Sequence, residues 1–180
     1  MKWNKKYNYP KSIRALYNGQ RLYDVNNEKL PSVTTIISAT KSKEDKESLE
    51  RWRKKIGAAS AEKITREATN RGSVMHDFLE KFLLGKLNLD LLGDNSLERQ
   101  MADQIIENGL RNKITEIYGV EATLFFPSRY AGAADLICKY EGKDSIIDFK
   151  NSSQLRKDEW NFDYYCQLSA YQMAHNKVYG

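Results

Sequence analysis

A carboxylate and an ammonium group stand two residues apart at the end of an apolar segment, in the stretch DSIIDFK of residues 144–150. Residues two apart in an extended strand project from the same face, so Asp148 and Lys150 would lie side by side. A carboxylate is a preferred ligand of hard divalent cations, and a neighbouring lysine can stabilise charge on a phosphate. The pair therefore indicates phosphate chemistry at a metal ion, although such pairs at strand ends are also commonly just solvated.

The sequence before this strand predicts a β-hairpin that supplies a second carboxylate. Glu141 and Gly142 are the natural turn, because glycine adopts a positive φ without steric cost. This turn sets a register in which Asp135 faces Asp148 across the two strands, with Cβ atoms roughly 5 Å apart. Facing carboxylates repel each other, and a bound divalent cation would remove that repulsion. The hairpin thus favours a metal site over an ordinary solvated pair.

Hydrophobic periodicity and turn signals predict an α+β protein with a small, mixed, mostly antiparallel sheet flanked by helices. The predicted helices cover residues 30–38 (beginning near Pro31 and Ser32), 41–68, 71–86, 95–117 and 158–177. The predicted strands cover residues 21–25, 119–127, 131–140 and 144–150. The helix over 41–68 is highly charged and carries little apolar surface, which is typical of a solvated arm or of packing by one narrow stripe.

Composition excludes several classes of protein. The chain has 180 residues, 41% of them hydrophobic, which suits one compact domain. Its two cysteines, Cys138 and Cys166, cannot make a four-thiolate zinc site or an iron–sulfur cluster. We find no apolar run long enough to span a bilayer and no secretory signal, so we expect a reducing intracellular setting without membrane contact.

The positive charge is concentrated at the N-terminus. The chain has a formal net charge of +5, and residues 1–23 contain six Lys or Arg and no Asp or Glu, interleaved with one Trp and four Tyr. Cations interleaved with aromatic rings suit phosphates and stacked bases. A solvated terminus with a few packing tyrosines explains the same composition equally well, so both interpretations stay open.

Three spaced motifs carry a family resemblance. The patterns G-x-x-D, D-x-K and Q-x-x-x-Y occur as Gly132–Asp135, Asp148–Lys150 and Gln167–Tyr171. In this order they resemble RecB-type nucleases of the PD-(D/E)XK superfamily, whose core is restriction-endonuclease-like. The segments LPSVTTIIS, LERWRKK and RGSVMHDFLEKFL look closer still to the mitochondrial genome maintenance exonuclease family and its phage and bacterial relatives. The resemblance spans roughly residues 30–176.

The resemblance implies a metal site for one or two Mg²⁺ or Mn²⁺ ions. Asp135 and Asp148 would bind the ion, with the Phe149 carbonyl as a backbone ligand. His76 would complete the site or bind a second ion. Glu121 matches an acidic position that in relatives supports the metal through water.

The resemblance also implies catalytic and DNA-binding side chains. Lys150 would position or activate the attacking water, while Gln167 and Tyr171 would orient the lysine and contact the DNA backbone. Ser32 and Thr34 match a polar segment that approaches the strand near the scissile phosphate. Further expected DNA contacts are Arg51, Arg53, Lys54, Arg71, Asn151 and Ser152.

The domain expectation is a single nuclease unit over residues 1–180. It would comprise a basic and aromatic segment over 1–29, a helical, arch-like region over 30–118, and a catalytic sheet and helix over 119–180. Relatives usually have Thr or Ser where this chain has Asn151, which can still donate a hydrogen bond to phosphate. The chain also stops soon after Tyr171, so we expect either a truncated or a naturally shortened catalytic unit.

The function implied is a metal-dependent exonuclease that acts on single-stranded DNA or free ends. A structure-specific endonuclease for flaps or junctions is the alternative enzyme, and a non-catalytic DNA-binding module on a nuclease fold is the alternative of a different class. We expect a monomer whose partner is DNA, with protein partners left open. A cytoplasmic location is expected, in the host if the chain is phage-encoded, ahead of a mitochondrial one.

Overall fold

The computed structural model describes residues 1–18, 20–86, 95–153 and 157–180. Its strands are β1 (Lys2–Trp3), β2 (Ile13–Tyr17), β3 (Gln20–Val25), β4 (Glu28–Pro31), β5 (Ile114–Phe126), β6 (Tyr130–Tyr140) and β7 (Lys143–Ile147). Its α-helices are α1 (Val33–Ala39), α2 (Lys43–Ile56), α3 (Ala58–Leu83), α4 (Leu97–Ile105) and α5 (Phe162–Tyr179). A π-helical turn covers Ile106–Leu110, and a 3₁₀ turn covers Asp158–Asn161. The result is an α+β fold, as predicted.

The central sheet is mixed and mostly antiparallel, with strand order β1-β5-β6-β7. Strand β1 runs parallel to β5, while β5, β6 and β7 form an antiparallel meander. The β6–β7 hairpin has the predicted register, since Leu136 pairs with Ile147. Its turn residues Glu141 and Gly142 have φ values of 47° and 81°, the left-handed conformation that a two-residue hairpin turn of this hand requires.

Helices cover both faces of the central sheet. On one face, α3 and α4 bury Met75 and Leu79 completely against Leu136 and Cys138. On the other face, α5 packs through Tyr171 and other residues against the opposite side of β5 and β6. Among the described helices, none is both long and apolar enough to cross a membrane.

A second sheet, of strand order β2-β3-β4, was largely missed by the sequence analysis, which predicted only a short strand over 21–25. All its pairs are antiparallel. Tyr23 and Leu30 pack against Phe125 and Ala131 at one end of β5 and β6. The strands are short and their alternation of apolar and polar residues is weak, so the sequence pattern gave little indication of them. Their packing against the central sheet stabilises them, and the pattern does not show that packing.

The aromatic residues of the N-terminal segment mostly pack against the protein. Tyr7 and Tyr9 meet the imidazole of His175, with ring centroids 4.7 Å and 6.0 Å away, and the Tyr9 hydroxyl lies 3.2 Å from Nε2 of His175. His175 is therefore half-buried. This finding favours the packing interpretation for these tyrosines.

The boundaries of two predicted helices are wrong. The helix predicted over 95–117 ends with the π-helical turn at Leu110, and β5 begins at Ile114, because Ile114 and Ile117 are needed in the sheet core. The helix predicted over 41–68 is broken at Gly57, whose φ of 85° lies outside the helical region. Its second half continues without interruption into the predicted helix over 71–86, which makes α3 a 26-residue helix.

The strand predicted over 144–150 is also shorter than expected. It ends at Ile147, so residues 148–150 lie beyond the paired ladder. The backbone N–H of Phe149 donates to Oδ2 of Asp135 at 2.5 Å rather than to a strand carbonyl. A side-chain acceptor thus replaces the next backbone acceptor of β6, and the ladder stops there.

We predict that Gly132→Ala destabilises the fold by about 1–3 kcal/mol because the new methyl group would lie 2.6 Å from Cε1 of Tyr171, a ring that packing holds in place. Chemical denaturation followed by circular dichroism measures the effect. Gly109→Ala is the matched control, since its methyl group would meet only a side-chain methyl of Ile105 at 4.0 Å. Equal stabilities of the two variants would contradict the prediction.

Candidate active site

Three side chains with metal-ligating atoms converge beside the central sheet. His76 of α3, Glu121 of β5 and Asp135 of β6 each present a ligand atom, and these atoms all lie within 4.8 Å of one another. The resemblance had implied His76 and Asp135 as metal ligands and Glu121 as a residue that supports the metal through water. Imidazole nitrogen and carboxylate oxygen suit Mn²⁺ and related divalent ions, and an oxygen-rich set also suits Mg²⁺.

An irregularity in the ladder places Glu121 in this cluster. Glu121 and Asp135 lie opposite each other between two pairs of the β5–β6 ladder, and Glu121 has a φ of 49°. Val120, before it, packs with the α3–α4 core, while Ala122, after it, packs with the α5 core. A left-handed conformation at a non-glycine strand residue is uncommon and costs free energy. The fold thus keeps a strained residue where two carboxylates face each other.

The backbone of Phe149 is held from both sides by the cluster. Its N–H donates to Asp135, and its carbonyl oxygen lies 3.0 Å from Nε2 of His76. Nδ1 of His76 is 3.6 Å from Oδ1 of Asp135, and this carboxylate raises the pKa of the imidazole above its usual value. The Phe149 carbonyl, which the resemblance implied as a backbone ligand, therefore lies next to the three side chains.

Asp148 lies close to the cluster but has partners of its own. Its Oδ1 accepts a hydrogen bond of 3.0 Å from Nε2 of Gln167, and its Oδ2 contacts the ammonium of Lys150. Nε2 of Gln167 also lies 3.0 Å from the hydroxyl of Tyr171. The predicted proximity of Asp148 and Lys150 is therefore confirmed, whereas the predicted strand pairing of Asp148 with Asp135 is wrong because β7 ends one residue earlier.

Electrostatic repulsion among the carboxylates makes the cluster a candidate cation site. Desolvation, followed by the charges of Asp135 and Glu80, raises the pKa of Glu121 to about 7, even though part of its side chain reaches solvent. Burial and the Asp135 charge likewise raise the pKa of Asp148, against the opposing effect of Lys150. A divalent cation would offset the repulsion among these carboxylates, so the residues present fit such an ion.

Ser32 and Thr34, which the resemblance placed near the DNA, differ from each other in burial. Ser32 is buried and caps α1, where its hydroxyl accepts the N–H of Thr35 at 3.0 Å. Thr34 is exposed and lines a pocket that also includes Lys150 and Gln167. A structural role thus accounts for Ser32, while Thr34 shares a pocket with Lys150.

The loop after Lys150 packs on α3. Nδ2 of Asn151 lies 3.4 Å from the carbonyl oxygen of Ala68, and a methyl group at Gly72 would come within 2.3 Å of the same nitrogen. Gly72 therefore makes room for the amide of Asn151. Arg71, beside it on α3, is partly exposed, as expected for a residue near the loop.

The basic residues of α2 are not part of the cluster. Arg51, Arg53 and Lys54 are exposed on a helix in which every residue is at least partly exposed, and Arg51 lies 3.8 Å from Glu47 of the same helix. Ser152 is likewise exposed. Helix α2 together with the first turns of α3 forms an arm whose contact with DNA stays a prediction.

Two neighbours of Lys150 were missed by the sequence analysis. The ring of Tyr164 lies 5.4 Å from Nζ of Lys150, and Lys41 lines the same pocket while pairing with Asp163 at 3.3 Å. Tyr164 could have been found, since it precedes Gln167 by three residues and so shares its helical face. Lys41 could not, because only the packing of α1 against α5 brings it there.

Comparison with known proteins agrees with a nuclease. No protein-family model matches the chain. The chain is similar to mitochondrial genome maintenance exonuclease 1 of Homo sapiens, with 25% identity over 153 residues, and of Mus musculus, with 30% identity over 156 residues. Each match covers 82% of this chain and 44% of the relative, so the chain spans less than half the length of these proteins.

We predict that Mn²⁺ raises the thermal unfolding midpoint of the wild type, because an ion bound only by the folded state stabilises it by about 2.7 kcal/mol at a hundredfold excess over Kd. Asp135→Asn and His76→Ala should lose most of this shift in differential scanning fluorimetry. The matched control is Asp77→Asn, whose carboxylate faces Lys81 at 2.6 Å instead. An equal shift in all variants would contradict a site at this cluster.

We also predict that Glu121→Gln stabilises the metal-free protein at pH 8. The folded-state pKa of about 7 exceeds the ordinary 4.5, so stability is lost as the pH rises through this interval and Glu121 ionises. Because the group is partly solvated, we expect a gain of about 1 kcal/mol at pH 8 and little at pH 4.5.

Urea denaturation in EDTA at the two pH values provides the measurement for this substitution. Glu62→Gln, on the exposed part of α3, is the control for loss of a carboxylate elsewhere. A gain that does not depend on pH would show that repulsion at Glu121 is not its cause.

Proposed function

We propose that the protein is a metal-dependent nuclease of the PD-(D/E)XK type that hydrolyses DNA phosphodiester bonds, acting as an exonuclease on single strands or free ends. One observation carries the proposal: His76, Glu121 and Asp135 offer ligand atoms within 4.8 Å of one another, next to the Asp148–Lys150 pair. This combination of ligands and a neighbouring cation suits phosphoryl chemistry.

The metal site would be formed by residues from four segments. Asp135, Glu121 and His76 would hold one Mg²⁺ or Mn²⁺, with Asp148 and the Phe149 carbonyl close enough to contribute. A bound divalent ion supplies Lewis-acid stabilisation of a phosphoryl oxygen and lowers the pKa of a water molecule. The repulsion that raises the pKa of Glu121 and Asp148 supports this assignment.

Lys150 would act on the phosphate directly. Asp148 holds its ammonium at the edge of the pocket, and the Tyr164 ring lies against it, so little side-chain freedom has to be lost on binding. From this position the ammonium can donate hydrogen bonds to a non-bridging phosphate oxygen and to the attacking water. Gln167 fixes Asp148, and Tyr171 lies against Gln167, which makes these two positioning residues.

Two features support single-stranded or ended DNA as the substrate. The similar human and mouse proteins are named as exonucleases. The arm of α2 carries the exposed cations Arg51, Arg53 and Lys54, which can bind a phosphate backbone without regard to sequence. A thin charged helix held away from the core is well suited to guiding a strand.

We predict that Lys150→Ala reduces hydrolysis about 100-fold or more, since removal of one donor to a developing oxyanion typically costs that much. The assay uses a linear single-stranded DNA labelled at either end, a circular single strand, and Mg²⁺, Mn²⁺ or EDTA. Lys143→Ala, at the exposed beginning of β7, is the matched control and should retain activity.

The circular substrate separates the candidate functions. Metal-dependent shortening of the linear strand alone supports the exonuclease, and the labelled end that survives longest gives the polarity. Cleavage of the circle would replace it with the endonuclease. Binding without cleavage in either metal would contradict both enzymes and leave a DNA-binding module.

A further inference from the structure

The hairpin formed by β2 and β3 extends beyond the strand that anchors it. The last pair between β3 and β4 is Leu22 with Pro31, whereas β2 and β3 continue to pair as far as Tyr17 with Gln20. Two further residue positions of both strands therefore project past the end of β4. We call the β2–β3 hairpin, whose far end projects in this way, the wing.

The wing points along the central sheet towards the candidate active site. Ser32, directly after β4, forms a parallel bridge with Ala131, so β4 and β6 run in the same direction. From Ala131, β6 proceeds to Asp135, four residues or about 13 Å further on. The wing extends in this direction and comes within roughly 10 Å of the level of Asp135.

The base of the wing lies one residue from a contact of Tyr171. Tyr23, buried in β3, packs in one cluster with Ala131 of β6. At the next residue, Gly132, an added methyl group would lie 2.6 Å from the ring of Tyr171, whose hydroxyl lies 3.0 Å from Nε2 of Gln167. Thr34, three residues after β4 ends, lines the pocket that includes Lys150.

The two faces of the wing differ. On the outer face, the hydroxyl of Tyr17 donates to Asp24 at 3.2 Å, and Nζ of Lys29 lies 4.2 Å from the Tyr17 ring centroid. We call the face that carries the buried Tyr23 side chain the inner face. Arg14 pairs with Tyr23 across the two strands, and Leu16 lies two residues further along β2, so both side chains project from the inner face. Yet Leu16 is 72% exposed there, and Arg14 is exposed as well.

An exposed leucine and an exposed arginine on a hairpin that points towards the candidate active site match the chemistry of a nucleic-acid strand. An arginine binds phosphate oxygens, and an apolar side chain covers the face of an unpaired base or the sugar. We propose that the inner face of the wing binds the DNA strand next to the scissile phosphate, with Arg14 on a phosphate and Leu16 on a base or sugar. This proposal rests on DNA being the substrate of the site described above.

The test measures binding separately from hydrolysis. A fluorescently labelled single-stranded oligonucleotide is titrated with Lys150→Ala protein in Mg²⁺, and Leu16→Ala or Arg14→Ala is added to this background. We expect each to weaken binding about 5- to 10-fold, and Arg14→Ala to reduce the slope of log K against log salt by about 0.7. Leu16→Phe should retain the binding, since it preserves an apolar face.

Two substitutions are the matched controls. Ile13→Ala removes an equally exposed apolar side chain, 70% exposed, from the outer face of the same strand. Lys177→Ala removes a positive charge near the end of α5. Both should bind like the Lys150→Ala parent. Thermal unfolding within about 2 °C of the parent verifies that each variant folds.

The outcomes distinguish this proposal from the proposed function. If wild type cleaves the oligonucleotide while the wing variants bind as tightly as the controls, the wing proposal is overturned and the nuclease stands. If the wing variants lose binding and wild type never cleaves, the nuclease is overturned and the wing stands. If Leu16→Ala abolishes a concentration-dependent dimer without changing DNA binding, the inner face is an interface between two copies of this chain, which also overturns the proposal.

Discussion

Repulsion between carboxylates is the constraint on which the rest of the site depends. Glu121 and Asp148 lie near Asp135 in a partly buried place, where burial and the charge of Asp135 disfavour their ionisation. His76 from α3 and Lys150 after β7 offset part of this repulsion between carboxylates. The strained conformation of Glu121 and the early end of β7 both follow from bringing these groups together. A fold selected only for stability would not retain such an arrangement.

The hairpin and its carboxylates could be predicted because the information is local. Glu141 and Gly142 define a turn whose geometry fixes the register, and the register places everything up to Leu136 and Ile147. The helix predicted over 71–86 from hydrophobic periodicity was equally clear, and it forms the part of α3 that carries His76. The resemblance then selected Glu121, which neither periodicity nor spacing could have chosen.

Features that depend on distant packing could not be predicted. The three-stranded sheet gains its stability from Tyr23 and Leu30 against Phe125, a contact across about a hundred residues. The π-helical turn before β5 has no simple sequence signal, and the helical propensity of that segment continues past its real end. The end of β7 was missed because a side chain, Asp135, replaces a backbone acceptor, which strand patterns do not encode.

Helix α3 links the arm and the metal cluster mechanically. It is continuous from Ala58 to Leu83, and His76 lies about 28 Å along its axis from Gly57, where the arm turns. A rigid rod of that length works as a lever: a tilt of about 2° around His76 displaces the Gly57 end by roughly 1 Å. A displacement of the arm therefore reaches the imidazole of His76 strongly reduced. The arm can thus move while His76, Glu121 and Asp135 keep their positions relative to one another.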